Sequence, residues 1–208
     1  GGNPRREMIK NLRRGDMLVL DLYSEARPQW GDPNSIWTRK DGFMHHNWLF
    51  CMLHNFGGNI GLYGKIDYLI EEYYKALNSS LSPSLKGVGL TMEGIETNPI
   101  VYELLTELPW RDSKFSADEW VAGYVKARYG STTPELLEAW KLLHHSVYNC
   151  PGEIVQQGTA ESVFCGRPAE VINTVSTWAE THRYYDPDDV SRAARLMLSV
   201  ADKYKGNN

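Results

Sequence analysis

Cysteine is scarce in this chain, with Cys51, Cys150 and Cys165 making up the whole complement. Three thiols cannot all pair with one another, which argues against a disulfide framework. Cys51 sits inside an apolar run and reads as a small buried hydrophobe. A zinc set drawn from Cys150, Cys165, His144 and His145 matches no metal-ligand spacing, so no metal site is expected. Long apolar runs are missing too. None approaches the ~20 residues that a membrane-spanning helix requires, so no membrane insertion is expected. There is no signal-peptide pattern. The Gly1-Gly2-Asn3 start carries no initiator Met, the expected mark of a trimmed chain. Basic tracts are likewise absent. With 22 Lys and Arg against 26 Asp and Glu the net charge is -4, and a nucleic-acid partner is disfavoured. The pair Gly87 and Gly89 lacks the spacing and the following Lys-Ser/Thr of a phosphate-binding loop. No organic cofactor is implied, and no internal repeat or low-complexity stretch interrupts the chain.

What remains is a globular composition, 42% hydrophobic and 23% charged over 208 residues, enough for one large domain or pieces of two. Aromatic residues are plentiful, with seven Trp and twelve Tyr. Flat rings fill cores, and they also stack on the C–H faces of sugars.

Three apolar runs punctuate the first half: residues 17–23, 48–53 and 85–92. Each has strand character and each ends in polar residues: Ser24-Glu25, His54-Asn55 and Glu93-Gly94. An amphipathic stretch over 62–77 predicts a helix after the second run. After the third, Asn98 is placed to cap a helix that starts at Pro99 and buries Ile100, Val101, Leu104, Leu105 and Leu108. This succession predicts parallel β/α units, whose chemistry gathers at the C-terminal ends of the strands. Three units cannot close an eight-stranded barrel, but they suit its last portion.

Beyond residue 112 the pattern turns helical. Ser116 with Glu119, and Thr132 with Glu135, read as capping boxes, and Gly130 as a helix stop. Residues 151–168 read as loop. Asp186-Pro187 opens a last helix, with Val190, Ala194, Met197, Leu198 and Ala201 expected on its apolar face. The fold class is therefore α/β: the C-terminal part of a (β/α)8 barrel over residues 1–112, then the beginning of an all-α domain over 113–208.

Glu93 stands out among the polar residues at the strand ends. Glycines on both sides of it leave room for another molecule to approach. A glycosidase needs one carboxylate at the anomeric carbon and a second to protonate the leaving oxygen, whereas a strand-end Glu otherwise serves as an ion-pair or capping partner. Asp21 and Glu25 have the same parity, so an extended strand would point both inward, and ion pairs to Arg14 or Arg27 are the structural alternative. His54, Asn55 and Asn59 surround Gly57-Gly58. Their donors and acceptors suit sugar hydroxyls as well as a tight turn.

Residues 50–59 with Gly61-Leu62, then Glu93-Gly94-Ile95, Asn98, Val101-Tyr102, Glu107-Leu108 and Trp110-Arg111, resemble successive blocks of the α-N-acetylglucosaminidases of glycoside hydrolase family 89. Arg128-Tyr129-Gly130, Ala139-Trp140 and residues 146–150 resemble a further block, and Asp21-Leu22 with Glu25 and Pro28 resembles the strand before. The similarity runs in order from about residue 15 to 150, with Asn173-Thr174 and Trp178 as fainter echoes.

This resemblance implies a retaining mechanism with two glutamates, the nucleophile falling at Glu93. The acid/base falls on an earlier strand, upstream of Gly1, so the isolated chain is expected to be inactive. His54, Asn55, Glu25 and Trp48 are the candidates for contacting substrate. The implied partner is a glycan ending in α-linked N-acetylglucosamine, of heparan sulfate or mucin type. The implied location is secreted, periplasmic or lysosomal. A non-catalytic sugar-binding or structural module is the alternative. An open strand edge would also favour self-association of the fragment.

Overall fold

A computed structural model of the chain describes residues 4–32, 35, 43–54, 61–94, 98–152, 170–171 and 183–206. Asn55, Asn59, the Gly57-Gly58 turn, Cys165 and all but the first two residues of the loop expected over 151–168 lie outside these residues.

A short helix α1 (Pro4–Ile9) precedes strand β1 (Leu18–Asp21). Strands β2 (Asn47–Met52) and β3 (Leu85–Leu90) complete a parallel sheet of order β1-β2-β3. Asp21 lies opposite Phe50 and Met52 opposite Leu90, so all three strands end along one border. The parallel α/β arrangement anticipated from the apolar runs is present. β1, however, is shorter than its run. After Asp21 the chain turns, with the amides of Ala26 and Arg27 both donating to the carbonyl of Tyr23. Glu25 therefore does not share an extended strand with Asp21, as parity had suggested.

The sheet has two unlike faces. On one, Trp48, Phe50 and Met52 are fully buried, and they share a core with α2 (Ile66–Leu77) and α3 (Pro99–Glu107). Ile66, Leu69, Ile70 and Tyr73 contribute from α2; Ile100, Val101, Leu104 and Leu105 contribute from α3, with Leu108 just beyond it. On the other face Leu18 and Leu20 are half exposed. Here Gly89 sits against Cys51, and a Cβ at this glycine would lie 2.6 Å from the Cys51 Sγ, closer than any side chain tolerates.

α2 begins at Ile66, four residues later than its amphipathic pattern suggests. Residues 64–66 are engaged elsewhere. The amides of Gly64 and Ile66 donate to the carbonyls of Val147 and Tyr148, and the amide of Cys150 donates back to Gly64. This seam joins the sheet portion to the helical portion. Gly64 is required in it, because a Cβ would meet the Val101 Cγ2 at 2.8 Å.

The helical portion comprises α4 (Ala117–Tyr129), α5 (Pro134–His145) and α6 (Pro187–Val200). Ser116 caps α4 by accepting from the Glu119 amide, and Gly130 ends it in the left-handed conformation. The cap of α5 is Thr133, which accepts from Leu136, not Thr132 as anticipated. Pro134 fixes this register, since its set φ suits the first helical position and makes the preceding residue the cap. α6 buries Ala193 and Val200, with Val190, Leu196 and Met197 partly covered. Ala194, Leu198 and Ala201 point outward, so the expected face was misplaced by about one residue step. One apolar cluster runs through both portions, from Trp48 and Phe50 to Trp120, Trp140, Tyr148 and Val200. No helix among the described residues is long and apolar enough to cross a membrane.

Candidate active site at the strand ends

The shared border of the three strands is fastened by hydrogen bonds that involve every one of them. The Ser24 amide donates to the Cys51 carbonyl at 2.9 Å. The Thr91 hydroxyl lies 3.0 Å from the carbonyls of both Leu22 and Met52. The polar residues that follow each strand are thereby held at one end of the sheet: Glu25 after β1, His54 after β2 and Glu93 after β3.

Asp21 and Glu25 serve the backbone here. The Oδ2 of Asp21 accepts from the amides of Gln29 and Trp30, both at 2.8 Å, and fixes the start of the long loop. Glu25 is buried, and its Oε1 accepts from the amides of Leu53 and His54 at 2.9 and 2.7 Å. The expected arginine ion pairs are replaced by these backbone amides. The second Glu25 oxygen is buried and has no hydrogen-bond partner. Burial pushes the Glu25 carboxyl up to about 8, although the amides of His54 and Leu53 and the charge of Lys65 pull the other way. Asp21 is raised less, to about 6, also by burial against its two amide donors.

His54 is held by this arrangement in an uncommon backbone state, with φ at 57°. A non-glycine residue in this region is strained and persists only where its surroundings fix it. Glu25 supplies one constraint by accepting the His54 amide. Asn98 supplies another: its Nδ2 lies 2.9 Å from the His54 Nε2 and also donates to the Gly61 carbonyl. The Asn98 Oδ1 accepts from the Tyr63 amide. Because the Asn98 amide donates, the His54 Nε2 accepts, and the ring proton sits on Nδ1. Burial holds His54 down to about 4, so the ring is neutral at ordinary pH. The rings of Tyr63 and Tyr102 enclose it, with centroids at 5.5 and 5.3 Å.

Glu93 differs from its neighbours in being exposed, beyond the end of β3. Trp48 is not brought to this group. Its ring is buried in the core between Trp30 and Phe43, with the indole N–H directed to the Leu81 carbonyl. An indole so enclosed has no face to offer a sugar; the alternation of β2 turns it toward the helices. Asn98, Tyr63 and Tyr102 were not among the candidates read from the sequence. Asn98 occupies the predicted cap position of α3, but its side chain does not cap the helix. It is spent on His54, Gly61 and Tyr63 instead, and no sequence signal separates the two uses.

A parallel α/β sheet with carboxylates and amides at one end, running into a helical region, defines a recognisable class. The chain superposes on the family 89 glycoside hydrolase from Clostridium perfringens in complex with 2-acetamido-1,2-dideoxynojirmycin, with a TM-score of 0.80 and 34% identity, covering 98% of this chain and 22% of that one. A variant of the clostridial enzyme carrying two Glu→Gln substitutions, in complex with its substrate GlcNAc-α-1,4-galactose, gives a TM-score of 0.80 at 33% identity over the same shares. Residues 2–112 match the family model for the α-N-acetylglucosaminidase (NAGLU) TIM-barrel domain, and residues 120–208 match that for the C-terminal domain. The α-N-acetylglucosaminidase of Homo sapiens is 37% identical over 197 residues, which is 94% of this chain and 24% of that protein. The chain belongs to the α-N-acetylglucosaminidase family, and it spans about a quarter of the length of these relatives.

Proposed function

We propose that the protein containing this chain is a retaining exo-glycoside hydrolase that releases terminal α-linked N-acetylglucosamine, with Glu93 as nucleophile. The exposure of Glu93 at the carboxyl border of the sheet carries this reading. Glu93 meets solvent, where a ligand can reach it, whereas Asp21 and Glu25 are buried on backbone amides. The substrate named for the clostridial relative supports the sugar assignment, and its pair of substituted glutamates suits a two-carboxylate mechanism. Residues 1–112 would supply the closing strands of the barrel, and 113–208 the first helices of the all-α domain.

In such a mechanism Glu93 attacks the anomeric carbon as the leaving oxygen takes a proton from a second carboxyl about 5–5.5 Å away. That second group then draws a proton from water, which releases the sugar with its configuration retained. No stretch of residues 1–208 resembles the family's acid/base region, so this group is assigned to another part of the protein. His54 and Asn98, held rigid below the border, would shape the floor on which the sugar rests. Asn55, next in the chain after His54, is proposed to reach the substrate.

The test is hydrolysis of an aryl α-N-acetylglucosaminide by the whole protein and by its Glu93→Gln variant. Loss of more than about 10⁴-fold in kcat, the scale on which removal of a covalent nucleophile acts, is expected. Retention of most of the activity would remove Glu93 from this role. Turnover by residues 1–208 alone would refute the placement of the acid/base elsewhere.

A further inference from the structure

Away from the strand-end residues, three helices bring a second group of ionisable side chains together. Asp118 lies in the first turn of α4, and His144 and His145 lie in the last turn of α5. The Oδ1 of Asp118 is 2.9 Å from the His144 Nδ1 and 2.8 Å from the His145 Nε2. The three donor atoms all lie within 4.8 Å of one another. The far nitrogen of His144, Nε2, meets the Oδ1 of Asp67 in the first turn of α2, also at 2.9 Å. The other Asp67 oxygen accepts from the Asn149 side chain. His144 is buried, whereas Asp118 and His145 are about half exposed.

The Nδ1 of His144, the Nε2 of His145 and the Oδ1 of Asp118 converge on one small volume, and the Nε2–H of His144 can be held by Asp67 on the far side of the ring. Two imidazole nitrogens and one carboxylate oxygen match zinc and related first-row ions. A carboxylate accepting the far N–H of a ligating histidine, as Asp67 does, is the usual outer support of such a ligand. The half-exposed side of the group leaves a further coordination position for water.

We propose that Asp118, His144 and His145 bind one divalent ion of the zinc class, with Asp67 orienting His144, so that the metal clips α4 to α5. Binding displaces to solvent any proton held between Asp118 and these two nitrogens, and leaves His144 protonated at Nε2, facing Asp67, and His145 protonated at Nδ1. The sequence hides the site, because Asp118 lies far from the histidine pair in the chain and only the antiparallel packing of α4 on α5 brings them together.

Cobalt(II) titrated into the reduced 208-residue chain tests this directly. The expected result is saturable binding of one ion, with visible d–d bands and no thiolate charge-transfer band. His145→Ala, a half-exposed position whose loss leaves the core intact, is expected to weaken binding by more than about 100-fold, and Asp67→Asn by about 10-fold. Circular dichroism shows whether each variant remains folded. Absence of binding at about millimolar cobalt, binding undiminished in a folded His145→Ala variant, or a thiolate band marking cysteine ligation would each overturn the proposal.

Discussion

Glu25 and His54 carry opposite pH signatures, because burial disfavours the charged form of each. The folded Glu25 carboxyl keeps its proton up to about 8, while the unfolded chain releases it near the ordinary 4.5. Between these values the unfolded state binds fewer protons, so this residue makes stability fall as pH rises. His54 titrates at about 4 when folded and near 6.5 when unfolded, so it makes stability rise with pH across that window. Above 6.5 the His54 contribution is complete and that of Glu25 is not. We expect the Glu25→Gln variant to lose less stability than the native chain between pH 6.5 and 8. Urea midpoints of both proteins at these two pH values measure it, since other groups cancel in the difference. Parallel midpoints would mean that the Glu25 carboxyl is ionised within the fold. The chemistry of this residue was only half legible in the sequence. A polar residue after an apolar run marks a strand end, but whether it meets solvent, like Glu93, or folds back on amides, like Glu25, depends on the turn that follows.

Among the elements, helix boundaries were read most securely where a single local signal fixed them. Ser116, Gly130 and Asp186 each bond or bend within one turn of their own position, so nearby sequence specifies them. Asn98 has the same local signature with Pro99 behind it, yet its side chain ties α3 to the ends of the other elements. The two kinds of residue differ in what their removal costs. Ser116→Ala is expected to cost about 1 kcal/mol, the worth of an exposed cap. Asn98→Ala is expected to cost about 2–4 kcal/mol, because it strands the His54 ring nitrogen, the Gly61 carbonyl and the Tyr63 amide. Chemical denaturation of the two variants compares them, and equal losses would return Asn98 to the role of an ordinary cap. The apolar face of α6 went astray for a related reason. Apolar residues at 190, 193, 194, 197 and 198 allow two neighbouring stripes, and packing against α5 selects the one through Ala193 and Val200.

For the molecule as a whole, the sheet governs behaviour in solution. Its helix-covered face belongs to a core that continues into α4, α5 and α6, while the face bearing Leu18 and Leu20 is half open, with Leu22 exposed just beyond it. β1 and β3 each pair on one side within this sheet. Apolar side chains beside unpaired strand edges recruit further strands. The isolated 208-residue chain is therefore expected to self-associate. Leu20→Lys, at a half-exposed position, is expected to shift the population toward monomer while changing stability by no more than about 0.5 kcal/mol. Light scattering across a concentration series reads the outcome, and a native chain that stays monomeric throughout would count against an open face.

The sequence by itself determined the parallel α/β character, the succession into helices, most of the caps and the membership of the family, because these rest on local periodicity and on motifs read along the chain. Tertiary structure alone decided which strand-end carboxylate is exposed to solvent, that Trp48 faces the core, that Asn98 serves His54, and that Asp118 meets two histidines. Each of these depends on the direction a side chain takes once distant segments have packed, and that direction is set by neighbours remote along the chain.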